Sequence, residues 1–170
     1  MNGKQISKLL YSHPATRNIF KGVYSINSRF PNNTGKDKTA IVINTAPSWS
    51  SGDHWVGVFK DANNAIYFDS YGRPPPLLLH DYLGKNYSYS ETQLQSLLST
   101  VCGQYCIAFI LLMCKGKSLR FVVQSLDQGN KILNDHLVNS DIETIFNVDL
   151  NTYTLEHIAT QISRAFYDYN

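Results

Sequence analysis

The sequence predicts an α+β fold in which a small central sheet, mixed or antiparallel, packs against one buried helix and is surrounded by further helices. Three observations support this class. Apolar and β-branched residues form three short runs between residues 39 and 69, each as long as an ordinary strand. Residues 102–115 are apolar on nearly every side, which is typical of a fully buried helix. Several other segments have the apolar spacing of amphipathic helices.

Length and composition indicate one ordinary domain. The chain has 170 residues, of which 43% are hydrophobic and 16% charged, and a chain of this size buries a substantial core. Because the sequence contains neither a repeat nor a long linker, we expect residues 1–170 to form a single domain. The longest apolar run, residues 106–114, is shorter than the about 20 residues that a membrane span needs, and the N-terminus lacks the hydrophobic core of a secretion signal. We therefore expect a soluble, intracellular protein with no membrane partner.

The strands are expected in the first half of the chain. A polar turn at residues 61–64 favours a hairpin between the second and third strands. Residues 20–38 are rich in Gly, Asn, Arg and Pro and are expected to be mostly loop, whereas residues 87–94 are expected to be extended. The predicted strands are residues 39–44, 54–59 and 66–69.

The helices are expected on both sides of the sheet-forming region. Ser99 or Thr100 is a suitable N-cap for the buried helix, and Gly116 is a suitable stop for it. This helix is expected to carry the nucleophile. The predicted helices are residues 5–12, 77–83, 102–115, 118–124, 131–146 and 154–167.

The charge is small overall but unevenly distributed. The net charge is +2, yet residues 1–38 are basic and residues 121–170 are acidic. One interpretation is that the basic N-terminal region contacts DNA. The other, which we favour, is that the two regions are complementary or are simply solvated faces of one domain.

The cysteines indicate a thiol with a chemical role and not a disulfide framework. There are three of them, an odd number, clustered at Cys102, Cys106 and Cys114 in a chain without a secretion signal. A free thiol is a good nucleophile only as the thiolate, and a helix N-terminus or a neighbouring imidazole favours that form. Cys102 lies at the predicted start of the buried helix, and Gly103 after it lets a substrate backbone approach. Cys106 lies a full turn further in and lacks a following glycine.

The second and third strands supply the groups that a cysteine nucleophile needs. His54 opens one strand and Asp69 ends the next. In an antiparallel hairpin the start of the first strand lies beside the end of the second, so the two side chains are expected to be close. The carboxylate can then hold the imidazole in the useful tautomer.

Simpler interpretations exist for each of these residues. His54 is also acceptable as a structural histidine, Cys102 as a small core residue and Asp69 as a turn cap. A zinc site formed by Cys102, Cys106 and His54 is a further alternative, but the sequence has no CxxC pair and no HxxxH motif. The joint geometry of the three residues favours catalysis.

Several motifs resemble those of the adenovirus protease (adenain) family. The stretch AIVINTA at residues 40–46, with GDHW at 52–55, resembles the segment around that family's catalytic histidine, and YFDSYG at 67–72 resembles the strand with its acid. Gln95, separated by six residues from the Cys102-Gly103 step, resembles its oxyanion-hole glutamine. The chain is most similar to proteases of Maverick/Polinton-type elements and related viruses. The resemblance covers roughly residues 20–115.

The resemblance implies a role for each matched residue. Cys102 is expected to be the nucleophile, His54 the base, Asp69 the group that orients it, and Gln95 an oxyanion donor. Trp55 is expected to pack beside the histidine–aspartate pair and to shield it. With Gly103 it is expected to contribute to substrate binding in a narrow groove.

The resemblance also implies a function. It predicts a cysteine endopeptidase that cuts capsid or core precursors at small, glycine-containing sites during virion maturation, in the virion and the infected cell. A deconjugating protease for a ubiquitin-like modifier and a non-catalytic relative that binds a virion partner or DNA are the alternatives. No metal or cofactor is expected. Adenoviral members are stimulated by a peptide and by DNA, but the sequence has no clear match for either site, so activation stays open. A monomer is expected.

Overall fold

The computed structural model describes residues 1–32, 37–62, 64–126 and 128–150. The described part of the chain alternates between strands and helices before it ends in three consecutive helices. The strands are β1 (Phe20–Ser25), β2 (Thr39–Asn44), β3 (Trp55–Lys60), β4 (Ala65–Phe68) and β5 (Tyr87–Ser88). The helices are α1 (Gly3–Ser12), α2 (His80–Leu83, after a 3₁₀ turn at Leu77–Leu79), α3 (Cys102–Cys114), α4 (Leu119–Gln124) and α5 (Lys131–Phe146).

The five strands form one mixed sheet in sequence order. β1 pairs parallel with β2, β2 pairs antiparallel with β3, β3 antiparallel with β4, and β4 parallel with β5. All six residues of β2 are buried, because layers cover both faces of the sheet at this strand. The predicted α+β class, with a small mixed sheet and one buried helix, is confirmed.

Helix α3 packs across one face of the sheet, and Gly57 lets it come close. A Cβ atom on Gly57 would lie 2.7 Å from Cδ1 of Phe109, which is closer than real side chains approach. Phe109 stacks on Phe68 of β4, with ring centroids 4.8 Å apart. The opposite face of the sheet packs against Leu79 and Leu83. The sheet is therefore the middle of three layers, and α3 is held firmly against β3 and β4.

The hairpin of β3 and β4 sets the geometry of the site. Gly57 pairs with Phe68 in the antiparallel register. His54 directly precedes β3 and Asp69 directly follows β4, so the hairpin brings these two residues to the same end of the sheet. A turn over residues 69–72, closed by the Gly72 N–H donating to the Asp69 carbonyl at 2.9 Å, then ends the strand pairing.

Three details differ from the sequence-based expectations. Residues 20–25, expected to be loop, form β1, whose parallel partner β2 is too distant along the chain for a local pattern to reveal. Only residues 87 and 88 of the expected extended stretch 87–94 are a strand. The N-cap of α3 is Val101, with no side-chain cap, instead of Ser99 or Thr100, because the Ser99 hydroxyl is engaged with Gln95.

The other helical predictions within the described residues are confirmed to within two residues at each end. Gly116, with a φ of +79°, follows the end of α3 as expected. The predicted helix at residues 154–167 and one residue of the predicted hairpin turn, Asn63, lie outside the described residues. Within the described ranges, no helix combines the length and the apolar character that crossing a membrane requires.

Candidate active site

A cleft lies at the end of the sheet where β3 begins and β4 has ended, above the N-terminus of α3. Its volume is about 520 Å³. The cleft brings the predicted nucleophile and the predicted base to one place, because the β3–β4 hairpin is packed on α3. The residues that line it include His54, Trp55, Tyr71, Arg73, Ser99 and Cys102.

His54 and Asp69 form a buried pair. Nε2 of His54 lies 2.8 Å from Oδ1 of Asp69, and the two residues are only 5% and 4% exposed. The backbone N–H of Tyr71 donates to the same Oδ1 at 2.7 Å, which fixes the carboxylate. An imidazole bound through Nε2 keeps Nδ1 for a second partner.

Cys102 lines the same cleft as His54 and is the other group that affects its protonation. Burial lowers the pKa of His54, but hydrogen bonds to Asp69 and Cys102, together with the negative charges of both groups, raise that pKa to about 9. The imidazole therefore keeps its proton at neutral pH when Cys102 is a thiolate. This is the charge state of an imidazolium–thiolate pair.

Cys102 is the first residue of α3 and is 8% exposed. Its position lets the helix dipole favour a thiolate, and the apolar N-cap Val101 offers no side-chain acceptor to the first N–H groups. These N–H groups can donate to a negatively charged oxygen that develops next to the sulfur during the reaction. Burial raises the pKa of Cys106 well above its usual value and that of Cys114 to about 11, which disfavours the thiolate of both side chains.

Gln95 lies behind the cleft wall and not at the nucleophile. Its side chain is completely buried, and its amide nitrogen donates to both the carbonyl and the hydroxyl of Ser99 at 3.0 Å. The amide oxygen accepts from Ser70 Oγ at 2.6 Å. To serve as an oxyanion donor, the Gln95 amide has to leave Ser99.

Trp55 and Gly103 pack against the N-terminal segment. Trp55 Nε1 donates to the carbonyl of Met1 at 3.1 Å. A Cβ atom on Gly103 would lie 3.2 Å from Ile6 and 3.3 Å from the Met1 Cβ. Gly103 thus has a packing reason to lack a side chain, in addition to the expected approach of substrate, and Met1 narrows the cleft beside the nucleophile.

Tyr71 and Arg73 are cleft residues for which the sequence analysis assigned no role. The Tyr71 ring lies 4.7 Å from the His54 ring, and the Arg73 guanidinium lies 5.0 Å from the centre of the Tyr71 ring. Tyr71 lies in the turn after β4, so its contact with His54 depends on the fold of that turn and not on the strand register. No sequence signal identifies Arg73 either.

The described residues contain no group of three or more His, Cys, Asp or Glu side chains arranged to hold a metal ion. The cleft instead combines a thiol at a helix N-terminus with a buried imidazole and carboxylate. This arrangement can activate a thiol for attack on a carbonyl carbon.

The fold is similar to that of the ASFV pS273R protease. One crystal structure of that protein aligns with 80% of this chain and 66% of its own chain, at 16% sequence identity and a TM-score of 0.52. A selenomethionine crystal structure aligns with 59% of this chain and 43% of its own, at 22% identity and a TM-score of 0.43. The alignments thus span less than two thirds of the viral protease's length. A scan of family models and a search of curated proteins found no match.

These findings define a viral protease-like fold with a cysteine–histidine–aspartate cluster at the end of its sheet.

Proposed function

We propose that this protein is a cysteine endopeptidase that cuts viral capsid or core precursors during virion maturation, with Cys102 as nucleophile. The observation that carries the proposal is the buried His54–Asp69 hydrogen bond in the same cleft as Cys102, the first residue of α3. The similarity of fold to a viral protease supports the reaction class.

In the proposed mechanism the Cys102 thiolate attacks the scissile carbonyl carbon and forms a C–S bond. The protonated His54 then donates its proton to the leaving amine as the C–N bond breaks. A water molecule, deprotonated by His54, attacks the resulting thioester and releases the acid product. Asp69 keeps the imidazole oriented through both steps and stabilises its charged form.

The oxyanion needs hydrogen-bond donors beside the sulfur. We assign this role to the backbone N–H of Cys102 and to the Gln95 amide, once substrate binding has released the amide from Ser99. One such donor typically contributes about 100- to 1,000-fold in rate. The buried position of Gln95 makes this rearrangement a required step of the proposed mechanism.

The maturation role and the preference for small residues are the finer part of the proposal. The order of His54, Asp69, Gln95 and Cys102 resembles that of the adenovirus protease family and of the Maverick/Polinton-type enzymes. The narrowing of the cleft by Met1 and Trp55 supports a groove that accepts glycine next to the scissile bond.

The proposed partners follow from that role. The substrates are precursor polypeptides in the virion or the infected cell, and the enzyme acts as a monomer. The basic N-terminal region, which includes Lys4 and Lys8 on α1, is the proposed contact for DNA. No cofactor is assigned, and stimulation by a peptide or by DNA remains to be tested.

Limited alkylation tests the proposed nucleophile directly. The full chain is treated with limiting iodoacetamide near pH 6, and the modified cysteine is mapped by mass spectrometry, in parallel with His54→Ala and Cys106→Ala. At this pH an ordinary thiol is almost fully protonated, so fast labelling of Cys102, slowed in His54→Ala and unchanged in Cys106→Ala, is expected. Equal labelling of all three cysteines would contradict the proposal.

Substrate assays then separate the finer alternatives. Glycine-containing peptides from capsid precursors and a ubiquitin-like modifier with a C-terminal extension are incubated with the parent and with Cys102→Ala. Cleavage of the viral peptides alone is expected. Preferred cleavage of the modifier would instead indicate a deconjugating protease, and the assay is repeated with DNA and virion peptides to detect stimulation.

A further inference from the structure

Asp135 is a buried carboxylate that the proposed mechanism does not use. It lies in the second turn of α5 and is 8% exposed. Among the described residues, the one salt bridge is that of His54 with Asp69, so Asp135 has no basic partner there. Burying an unpaired carboxylate is expensive unless hydrogen bonds compensate for the lost water.

The compensating hydrogen bonds come from the segment of residues 94–99, called here the cleft-wall segment. The backbone N–H of Ser96 donates to both Asp135 oxygens, at 3.2 and 3.4 Å, and the Ser99 side chain, close to the carboxylate, lowers the pKa of Asp135 against the rise that burial causes. Leu97 and Ser99 of this segment line the cleft, and Gln95 belongs to it. Asp135 therefore binds the wall of the active site from outside.

The hydrogen bonds around Asp135 are consistent with the ionised form. The Tyr105 hydroxyl lies 3.0 Å from Oδ1 of Asp135 and 3.1 Å from the carbonyl of Leu94. It has a single proton, which an ionised carboxylate attracts. The Leu94 carbonyl still receives a bond from the Asn134 amide at 3.1 Å, so both acceptors are satisfied.

The cleft-wall segment is also anchored from its other side. The backbone N–H groups of Leu94 and Gln95 both donate to the carbonyl of Ser70, at 2.9 and 3.0 Å. Ser70 directly follows Asp69, the acid of the site. The segment is thus held between the hairpin that carries His54 and Asp69 and the helix that carries Asp135.

We propose that Asp135 is a positioning residue that holds the cleft-wall segment, and with it Gln95 and Ser99, in place for stabilising the oxyanion during peptide hydrolysis. This inference rests on the proposed cysteine protease function. A purely structural bond between α3 and α5 does not need a charge, since Gln104 and Asn139 join the same two helices through neutral amides at 3.0 Å.

Asn139 provides a matched control. It lies one turn after Asp135 on the same helix and is similarly buried, but its side chain bonds to Gln104 and Glu143 and not to the cleft-wall segment. Asn139→Ala and Asp135→Ala therefore both remove a buried polar contact of α5. Only Asp135→Ala releases the wall of the cleft.

The test compares three readouts in the parent, Asp135→Ala, Asp135→Asn and Asn139→Ala. Peptide hydrolysis and binding of a peptide aldehyde require oxyanion stabilisation, whereas alkylation of Cys102 by iodoacetamide requires only the thiolate. Because displacement of a catalytic donor by about 1 Å can cost 100-fold, we expect kcat and aldehyde affinity to fall about 10- to 100-fold in Asp135→Ala. Alkylation is expected to stay within about threefold of the parent.

Asp135→Asn is expected to recover most of the lost activity. Its amide oxygen can accept from Ser96, and its NH₂ group can donate to the Tyr105 oxygen, which then turns its own proton to Leu94. An equal loss of kcat in Asn139→Ala, or a parallel loss of Cys102 alkylation in Asp135→Ala, would overturn the proposal.

Hydrogen exchange separates this proposal from the protease assignment, because it needs no activity. In Asp135→Ala the amides of residues 94–99 are expected to exchange at least about tenfold faster than in the parent and in Asn139→Ala, while those of α3 keep their protection. Unchanged exchange in this segment would refute the positioning role even if the protein is a protease. If residues 94–99 exchange faster in Asp135→Ala but the parent does not hydrolyse peptides, only the protease assignment is refuted.

Discussion

His54 and Asp69 are 15 positions apart in the chain, yet Nε2 of the first lies 2.8 Å from Oδ1 of the second. The contact arises because the β3–β4 hairpin brings the residue before one strand next to the residue after the other. It is buried, and the same carboxylate oxygen accepts the Tyr71 N–H. Asp69 is therefore fixed before substrate binds, and the orientation of the imidazole depends on it.

Asp69→Asn is expected to weaken catalysis strongly. An amide in place of the carboxylate removes the negative charge that stabilises the imidazolium and permits the wrong tautomer, which in a serine protease triad costs about 10⁴-fold in kcat. We expect a loss of about 100- to 10,000-fold in kcat/KM, a lower pKa of His54, and slower alkylation of Cys102 at pH 6. Enzyme kinetics and an NMR titration of the imidazole measure these effects. A His54 pKa that stays near 9 in this variant would contradict the assigned role.

The raised pKa of His54 also predicts how stability depends on pH. Its value in the folded protein, about 9, is above the ordinary value of about 6.5, so the folded state binds the proton more tightly than the unfolded state. The corresponding stabilisation is complete below about pH 6.5 and is lost as pH rises through about 9. We expect the free energy of unfolding to fall by at most about 3 kcal/mol over this range.

Urea denaturation at several pH values measures this change, and His54→Gln is the control. The variant lacks the titrating group, so its stability should be much less dependent on pH between 6.5 and 9. Equal pH dependence in the two proteins would show that other groups cause the change.

The central pair could be predicted from sequence because its determinants are local. A short antiparallel hairpin with a polar turn fixes which strand ends lie side by side, and the proximity of His54 and Asp69 follows from that pairing. The start of α3 near Cys102 is likewise visible, because Ser99 and Thr100 suit a helix N-terminus and a mostly apolar segment follows them.

The rest of the site depends on contacts that no local pattern encodes. β1 pairs with β2 across residues 26–38, and nothing in the composition of Phe20–Ser25 names that partner. Gln95 was identified by resemblance, but its bonds to Ser99 and Ser70 depend on how a loop folds back on the hairpin. Asp135 reaches Ser96 from a helix 39 residues further along the chain.

Gly57→Ala is expected to destabilise the fold. The new Cβ would lie 2.7 Å from Cδ1 and 3.0 Å from Cε1 of Phe109, a fully buried ring stacked on Phe68, so the ring cannot move away freely. Overpacking of this kind typically costs about 1–3 kcal/mol. Urea denaturation measures the loss, and Phe109→Leu in the same chain should recover part of it. If the stability losses of Gly57→Ala and Phe109→Leu simply add in the double variant, the clash is not the cause.

Replacement of Gln95 tests whether its amide leaves Ser99 to reach the oxyanion. Gln95→Met keeps the length of the side chain but removes both donors, so we expect kcat to fall about 100- to 1,000-fold. It also leaves the Ser70 hydroxyl without its buried acceptor and removes two hydrogen bonds to Ser99, which costs about 1–3 kcal/mol of stability. Because alkylation of Cys102 needs no oxyanion donor, its rate should stay close to that of the parent.

Ser70→Ala is the control for Gln95→Met. It removes the bond to the Gln95 amide oxygen and keeps the donating nitrogen, so stability falls but the oxyanion donor remains. If kcat falls no further in Gln95→Met than in Ser70→Ala, Gln95 only supports the cleft wall and does not donate to the oxyanion. The backbone N–H groups at the start of α3 would then be the donors that stabilise the oxyanion, because the apolar N-cap of that helix leaves them without a side-chain acceptor.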